Sequence, residues 1–344
     1  MTVNIGQEHT YVGMDISYPG NGEAVIRMKD HVLEAITDFP ECCNINVTSP
    51  APNYLFQVTS DLPTISEPDR KIFHKIVAKL LYVANRARPD IMVAISFLTS
   101  RVLNTTEKDW RKLKRVLCYL NGTIDMPLTI SIDKLSITKT WVDASYACHP
   151  DMRSHTGGAI MMGKGVLFTK SSKQKLNTKS STEAEVVGAS DFLSQTIWTK
   201  HFIEAQGYKH ITSEYFQDNL SAMQLEENGR ESSGQNTRHI NIRYFFIKDR
   251  VANGDIVLLH CPTLDMIADF FTKPLQGKLF KRFRDVVMGI THYSSLKSKS
   301  INTIKIEEKI GEKPQSSDPK SVLQSAFFAE KVRSEPEIWG TREL

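Results

Sequence analysis

The sequence has 344 residues, 40% of them apolar and 24% charged, with a net charge of +4. That is the balance of a globular chain long enough for two domains with real cores, and it argues against a fibrous or wholly disordered one. No apolar run approaches the ~18 residues of a membrane-spanning helix, and Met1 to Thr10 is too polar for a signal peptide, so no membrane partner is expected.

The five cysteines are odd in number and contain no Cys-x-x-Cys pair. A disulfide framework or zinc site is therefore not expected, and a reducing cytoplasmic or nuclear setting fits. Charge is uneven along the chain: residues 70–115 hold 12 Lys or Arg against 3 Asp or Glu. Such a segment suits a phosphate backbone or, equally, a solvated helix face.

In chain order, residues 1–65 alternate short apolar stretches with Gly and Pro turns and read as strands and loops. Residues 66–127 read as a helical region. Ile72, Ile76, Leu80 and Val83 recur at helical spacing until Arg88-Pro89. Asp90 is placed to cap a second helix, and Thr105 or Thr106 a third, whose stripe is Trp110, Leu113, Leu117 and Leu120. Residues 128–290 change to mixed α/β order. Strand-like Leu128 to Ile132 and Lys139 to Val142 precede a hairpin around Gly163-Lys164-Gly165. A long helix from Glu183 to Gln206 follows, then a strand ending at Gln217, two helices, a strand ending at His260, and a last helix from about Leu264. Residues 291–344, rich in Ser, Lys and Glu, are expected to be a disordered tail.

Four carboxylates stand out. Asp143 and Asp218 each follow a strand, where a side chain is held rigidly at a sheet edge, although Asp also favours helix caps there. Glu183 and Glu185 lie about 200° apart on one helix, so only one can face the sheet. Glu183 fits a capping box with Ser180, and Glu185 lies beside the stripe Val186, Ala189, Leu193 and Ile197; the rival is a box shifted by two, with Thr182 as cap. Asp265 and Asp269 share a face near the start of the last helix, and Asp269, between Ala268 and Phe270, needs a partner that a metal ion would supply. Converging carboxylates suit Mg²⁺, a hard cation, and two such ions ~4 Å apart can clamp a phosphodiester.

At these residues the sequence resembles the C-terminal part of the Pol polyprotein of Ty1/copia-type LTR retrotransposons, from the end of the reverse transcriptase through the ribonuclease H domain. The likeness runs over about residues 10–280, in blocks that keep their order. They include Tyr11-Val12-Gly13-Met14, Arg88-Pro89-Asp90-Ile91, Arg115-Val116-Leu117-Cys118-Tyr119-Leu120, Val142-Asp143-Ala144-Ser145, Arg153-Ser154-His155-Thr156-Gly157-Gly158, Ser180-Ser181-Thr182-Glu183-Ala184-Glu185, Asp218-Asn219-Leu220-Ser221-Ala222, Thr237-Arg238-His239-Ile240 and Ala268-Asp269-Phe270-Phe271-Thr272-Lys273-Pro274-Leu275.

The resemblance implies an α/β fold: a ribonuclease H-like mixed five-stranded sheet flanked by helices over 128–290, preceded by the terminal part of the reverse transcriptase over 1–65 and a small, mostly helical connecting region over 66–127. It implies a metal-dependent endonuclease that hydrolyses the RNA strand of RNA–DNA hybrids with two Mg²⁺ ions, or Mn²⁺ in their place, the remaining reverse transcriptase domain being a further partner. Asp143 would bridge both ions, Glu185 and Asp218 would hold the ion on the leaving-group side, and Asp269 would complete the other. The products would be a 5′-phosphate and a 3′-hydroxyl. Ser145 stands where many relatives carry a further acid. The two-Asp polymerase motif is absent from this sequence, so polymerase activity is not expected.

Asn219, Gln174, Lys173 and His239 are candidates for contact with nucleic acid, the amides through a minor groove or the 2′-hydroxyl that distinguishes RNA. For Lys170, Lys173, Lys175 and Lys179 a solvated loop is the competing expectation, and for His239 local packing. His260 is placed to move a proton near the leaving group. Trp141 and Trp198 are expected in the core. The alternatives to an active nuclease are a catalytically decayed fragment that only binds nucleic acid and a structural protein that reuses the fold.

Overall fold

Short alternating strands at the N-terminus fold back on one another and meet a fourth strand a hundred residues later. The structure, a computed structural model, describes residues 6–59, 62–208, 212–228 and 238–296, without the side chains of 228 and 238–241. Strands β1 (Glu8–Tyr11), β2 (Met14–Ser17) and β3 (Glu23–Arg27) form an antiparallel meander. Helix α1 (Lys29–Asp38) follows, where strands and loops were expected. No side chain caps its start, so the local signal is weak. Tertiary contacts hold it instead: Met28, Val32, Ala35 and Phe39 are buried, and the Phe39 ring lies 4.8 Å from that of Trp110.

Three helices come next, as the apolar periodicity predicts: α2 (Glu67–Ala84), α3 (Met92–Thr99) and α4 (Glu107–Gly122). Thr106 caps α4, and its backbone N–H donates to Asp109 at 3.1 Å. Asp90 does not cap α3. It is 1% exposed and accepts hydrogen bonds from the Arg88 guanidinium (2.9 and 2.8 Å) and the Tyr119 hydroxyl (2.7 Å). A buried carboxylate needs such partners more than a helix start needs a cap.

The basic segment is largely neutralised within the fold. Lys75 and Lys79 pair with Asp38, Lys79 also with Glu34, Lys114 with Glu41, and Arg111 with Glu107. Lys112 is buried and donates to the Gln57 carbonyl at 2.8 Å. Acids distant in sequence thus cancel a charge excess that looked local.

After α4 the chain returns to the first sheet as β4 (Leu128–Ser131), antiparallel to β3 with Leu128 opposite Ile26. The second sheet then forms from β5 (Ile137–Ser145), β6 (His155–Met161), β7 (Phe168–Lys173), β8 (Thr212–Gln217) and β9 (Val257–His260). Its order is β7-β6-β5-β8-β9, antiparallel among β5, β6 and β7 and parallel through β5, β8 and β9. Helix α5 (Ser181–Ala205) links β7 to β8, and α6 (Leu220–Asn228) and α7 (Arg238–Ala252) link β8 to β9. This is the mixed five-stranded sheet with flanking helices that the resemblance implies. No helix among the described residues is long and apolar enough to cross a membrane.

Side chains alternate across β5 and divide the core. Val142 points into a cluster with Val186, Ala189, Phe192 and Tyr215 beneath α5. Trp141 points the other way, into a core continuous with that of α2–α4. The neighbouring β6 has two consecutive glycines because both faces need close approach there. A Cβ on Gly158 would lie 2.6 Å from the Phe192 ring, and one on Gly157 would lie 2.6 Å from Thr272 Cγ2 and 2.8 Å from the backbone at Phe271. Past β9 the chain makes a short 3-10 turn (Thr263–Asp265), then the one-turn helix α8 (Asp269–Thr272) and α9 (Gly277–Val287). Leu296, near the end of the described residues, is 3% exposed, and the Tyr293 ring packs on Trp141.

Candidate metal centre

Asp143 lies near the C-terminal end of β5, Asp218 directly after β8, and Asp269 at the first position of α8. The parallel pairing of β5 with β8 brings the first two to one sheet edge. The third arrives because Gly157, directly opposite Asp143 in the β5–β6 register, lets α8 settle on the sheet. One carboxylate oxygen from each of the three aspartates lies within 4.8 Å of the others. The Thr272 hydroxyl, also on α8, donates to Asp143.

Helix α5 supplies the fourth acid. Ser180 caps it: its Oγ accepts from the Glu183 N–H at 3.2 Å, while the Glu183 carboxylate accepts from the Lys179 N–H at 2.7 Å. Glu183 is thereby spent on the helix start. Glu185 is 6% exposed and lines one cleft of ≈ 440 Å³ with Asp143, Asp218, Asn219 and Lys273. Its Oε2 is buried and has no hydrogen-bond partner among the described residues. Asp265, the competitor of Asp269, is instead engaged by Arg282 at 2.8 Å.

Crowding sets the electrostatics. Burial, and then the charges of Asp143 and Asp218, push the Glu185 carboxyl well above its ordinary range. Burial and the Asp143 charge raise Asp218 as well, and take Asp269 up to about 7. Burial opposes the charge of Lys273, yet Asp143 and Asp269 hold its ammonium above the ordinary value. Such a cluster binds protons more tightly folded than unfolded. The contribution of Asp269 to stability is therefore complete below its ordinary value of 3.8 and is lost as pH rises through about 7. In chelator, the unfolding temperature of the wild type falls between pH 5 and 8, from the loss of a few kcal/mol. Asp269→Asn flattens that slope. Parallel pH profiles of the two proteins in thermal unfolding would refute the assignment.

The candidates for nucleic-acid contact are dispersed. Asn219 lines the cleft, and its Oδ1 accepts from the Ala222 N–H at 3.1 Å, which caps α6. Gln174 is 3% exposed, and its amide donates to the Ala184 carbonyl (2.9 Å) and to Thr156 (3.0 Å). It steadies the helix turn that carries Glu185 and presents nothing to a groove. Lys173, at the end of β7, pairs with Asp151 at 2.8 Å. The side chain of His239 lies outside the described residues. His260 is exposed, opposite Gln217 across β8 and β9. Trp141 is core as expected, but Trp198 is 58% exposed and stacks on Phe202. A larger groove of ≈ 670 Å³ between α3, β7 and α5, which Trp198 helps to line, gathers no comparable group of acids.

Sequence reasoning passed over three residues. Thr272 and Lys273 both touch the cluster. The signal for Lys273 was its i, i+4 spacing from Asp269. The third is Glu226, fully buried on α6, whose Oε1 accepts from Gln217 Nε2 at 3.2 Å. Gln217 Oε1 and Glu226 Oε2 are both buried without a partner among the described residues. Burial pushes this carboxyl well up, and a proton on Glu226 Oε2 would make that atom a donor instead of a second buried acceptor. The pair fixes the residue before Asp218. Glu226→Gln keeps the pairing and stays within about 0.5 kcal/mol of wild type in denaturant unfolding, whereas Glu226→Ala costs about 2–4 kcal/mol. Equal damage from both substitutions would mean that the charged form matters.

No family model matches the chain. It is 32% identical over 219 residues to the Retrovirus-related Pol polyprotein from transposon RE2 of Arabidopsis thaliana, an alignment that covers 63% of this chain and 15% of the relative. It is 29% identical over 216 residues to the Pol polyprotein from transposon TNT 1-94 of Nicotiana tabacum, covering 62% and 16%. Against the Transposon Ty1-BR Gag-Pol polyprotein of Saccharomyces cerevisiae the identity is 24% over 295 residues, covering 81% and 17%. Its homologues are the Pol polyproteins of Ty1/copia-type retrotransposons.

The Pol-like chain spans about a sixth of the length of these relatives. Among solved structures, it aligns with LC11-RNase H1 isolated from compost at 14% identity and a TM-score of 0.28, covering 37% of this chain and 86% of that one. It also aligns with the N-terminal RNase H domain of a Mycobacterium tuberculosis protein at 10% identity and a TM-score of 0.29, covering 40% and 91%.

Proposed function

We propose that this Pol-like chain is a metal-dependent endonuclease that hydrolyses the RNA strand of RNA–DNA hybrids. The observation that carries the reading is the acid cluster: three aspartates from three separate elements lie within 4.8 Å of one another, and two of them share a cleft with Glu185, whose buried Oε2 has no hydrogen-bond partner among the described residues. Burying so much like charge is unfavourable without a cation. An all-oxygen donor set suits Mg²⁺, or Mn²⁺ in its place. Asp143, Glu185, Asp218 and Asp269 would hold the metal. When bound, it lowers the pKa of a water and offsets negative charge on the phosphate and the leaving oxygen.

The chain's own residues supply the positioning. The sheet edge holds Asp143 and Asp218 rigidly, and Thr272 orients Asp143 by hydrogen bond. Gln174 and Ser180 fix the turn of α5 that presents Glu185. In the net reaction the oxygen of water becomes bonded to phosphorus and the bond from phosphorus to the 3′-oxygen breaks. The products are a 5′-phosphate and a 3′-hydroxyl. The homologous Pol polyproteins and the order of the second sheet support this reaction class. A fragment that only binds nucleic acid through residues 70–115 is less well supported, because most of the cations there are already paired.

The test is incubation of the purified chain with end-labelled RNA–DNA hybrid, double-stranded DNA and double-stranded RNA, with Mg²⁺ or with chelator. The expected result is cleavage of the RNA strand of the hybrid alone, lost in chelator and restored by Mg²⁺ or Mn²⁺. No cleavage with either metal, or cleavage indifferent to chelator, would rule the reading out.

A further inference from the structure

Lys273 reaches the acid cluster for local reasons. Helix α8 ends at Thr272, and Lys273 leaves it in an extended conformation (φ −124°, ψ 138°). Pro274 follows, and proline restricts the preceding residue to that region. The Lys273 N–H donates to the Asp269 carbonyl at 2.9 Å, so its backbone is tied to the helix end. Its side chain is thereby delivered beside the acids: Nζ lies 2.6 Å from Asp269 Oδ1 and 3.6 Å from Asp143 Oδ2. The two carboxylate side chains are 8% and 3% exposed, while that of Lys273 is 37% exposed. The ammonium thus engages buried charge from a stem that solvent can reach.

We propose that Lys273 is a built-in counter-cation of the acid cluster, which competes with a divalent ion for Asp269 and Asp143 and swings toward the open cleft when that ion binds. The inference rests on the metal-centre reading given above. An ammonium and a divalent ion on the same carboxylate oxygens repel each other strongly in so poorly solvated a place. The flexible four-carbon stem and partial exposure of Lys273 let it yield where a buried arginine fork would not. Two consequences follow. The lysine shields the carboxylates from one another while no divalent ion is bound, and it raises the concentration of ion needed to fill the site.

The test needs no catalysis. Mg²⁺, and separately Mn²⁺, is titrated calorimetrically into the full chain and into Lys273→Met, Lys273→Gln and Asp143→Asn. Unfolding temperatures are measured in chelator alongside. Lys273→Met is expected to bind Mg²⁺ at least about tenfold more tightly than wild type and to unfold at a lower temperature in chelator. Lys273→Gln, which can still hydrogen-bond Asp269, gives the same direction of change should the Met variant fail to fold. Unchanged or weaker Mg²⁺ binding in the lysine variants, with wild type binding and Asp143→Asn not binding, overturns the role of Lys273 and leaves the metal centre standing. No binding of either ion by wild type overturns both.

Discussion

On the function proposed above, Asp143→Asn is expected to reduce cleavage of the hybrid by on the order of 10³-fold, equivalent to about 4 kcal/mol of transition-state stabilisation, and to leave the fold intact. Asp143 is 2% exposed and central to the cluster: after burial, its charge is the largest influence raising Glu185, Asp218 and Asp269. Asparagine has the same shape and can still accept the Thr272 hydroxyl, so packing is preserved. It removes the negative charge that a divalent ion requires and relieves the repulsion felt by the other three acids. In chelator at neutral pH the variant should therefore unfold at the wild-type temperature or above it. What it should lose is stabilisation by added Mg²⁺, worth about 2.7 kcal/mol at a concentration a hundredfold above the dissociation constant. Activity assays and thermal unfolding with and without Mg²⁺ separate these effects. Undiminished cleavage would remove Asp143 from the site, and a marked drop in metal-free stability would contradict the repulsion argument.

Gly157→Ala damages the same site from a position that touches no ligand. The added methyl group would meet Thr272 Cγ2 at 2.6 Å and the Phe271 backbone carbon at 2.8 Å. Phe271 and Thr272 are almost wholly buried, so α8 has to move away from the sheet. Overpacking of this kind costs about 1–3 kcal/mol. Because α8 carries Asp269 and Thr272, the same shift pulls both away from Asp143. A displacement of ~1 Å in a positioned catalytic group is worth about 10²-fold in rate. The expected variant is folded, moderately destabilised and about a hundredfold slower, with weaker Mg²⁺ binding. Gly158→Ala is its control. There the clash is with the Phe192 ring on the opposite face, so stability should fall while Mg²⁺ affinity changes far less. Equal losses of Mg²⁺ affinity in the two variants would show that α8 is not the element that places Asp269.

The pattern of apolar residues in the sequence was enough to locate α2, α3, α4, α5 and the strands of the second sheet, because those periodicities are local and long enough to be unambiguous. Helix geometry allowed only one of Glu183 and Glu185 to face the sheet, and the Ser180 cap seen in the structure decided between the two possible boxes. Helix α1 was illegible: it is short, uncapped by any side chain and held by partners distant in sequence. Asp90 looked like a cap until Arg88 and Tyr119 surrounded it. Gln174 had the chemistry for a groove and was used to hold a helix turn. The basic segment had an unmistakable charge excess that Glu34, Asp38 and Glu41 then answered.

By itself, the sequence determined where strands end in a carboxylate and which helix carries a glutamate toward the sheet, because strand alternation and helical periodicity are properties of neighbours. Which carboxylates meet was decided only in three dimensions. The parallel register of β5 and β8 joins Asp143 to Asp218. The missing side chain at Gly157 admits Asp269, and Arg282 takes Asp265 out of contention. The extended backbone before Pro274 sends an ammonium into the cluster. Charge and proximity act through space, and the energy of an acid cluster depends on distances that no spacing along the chain specifies.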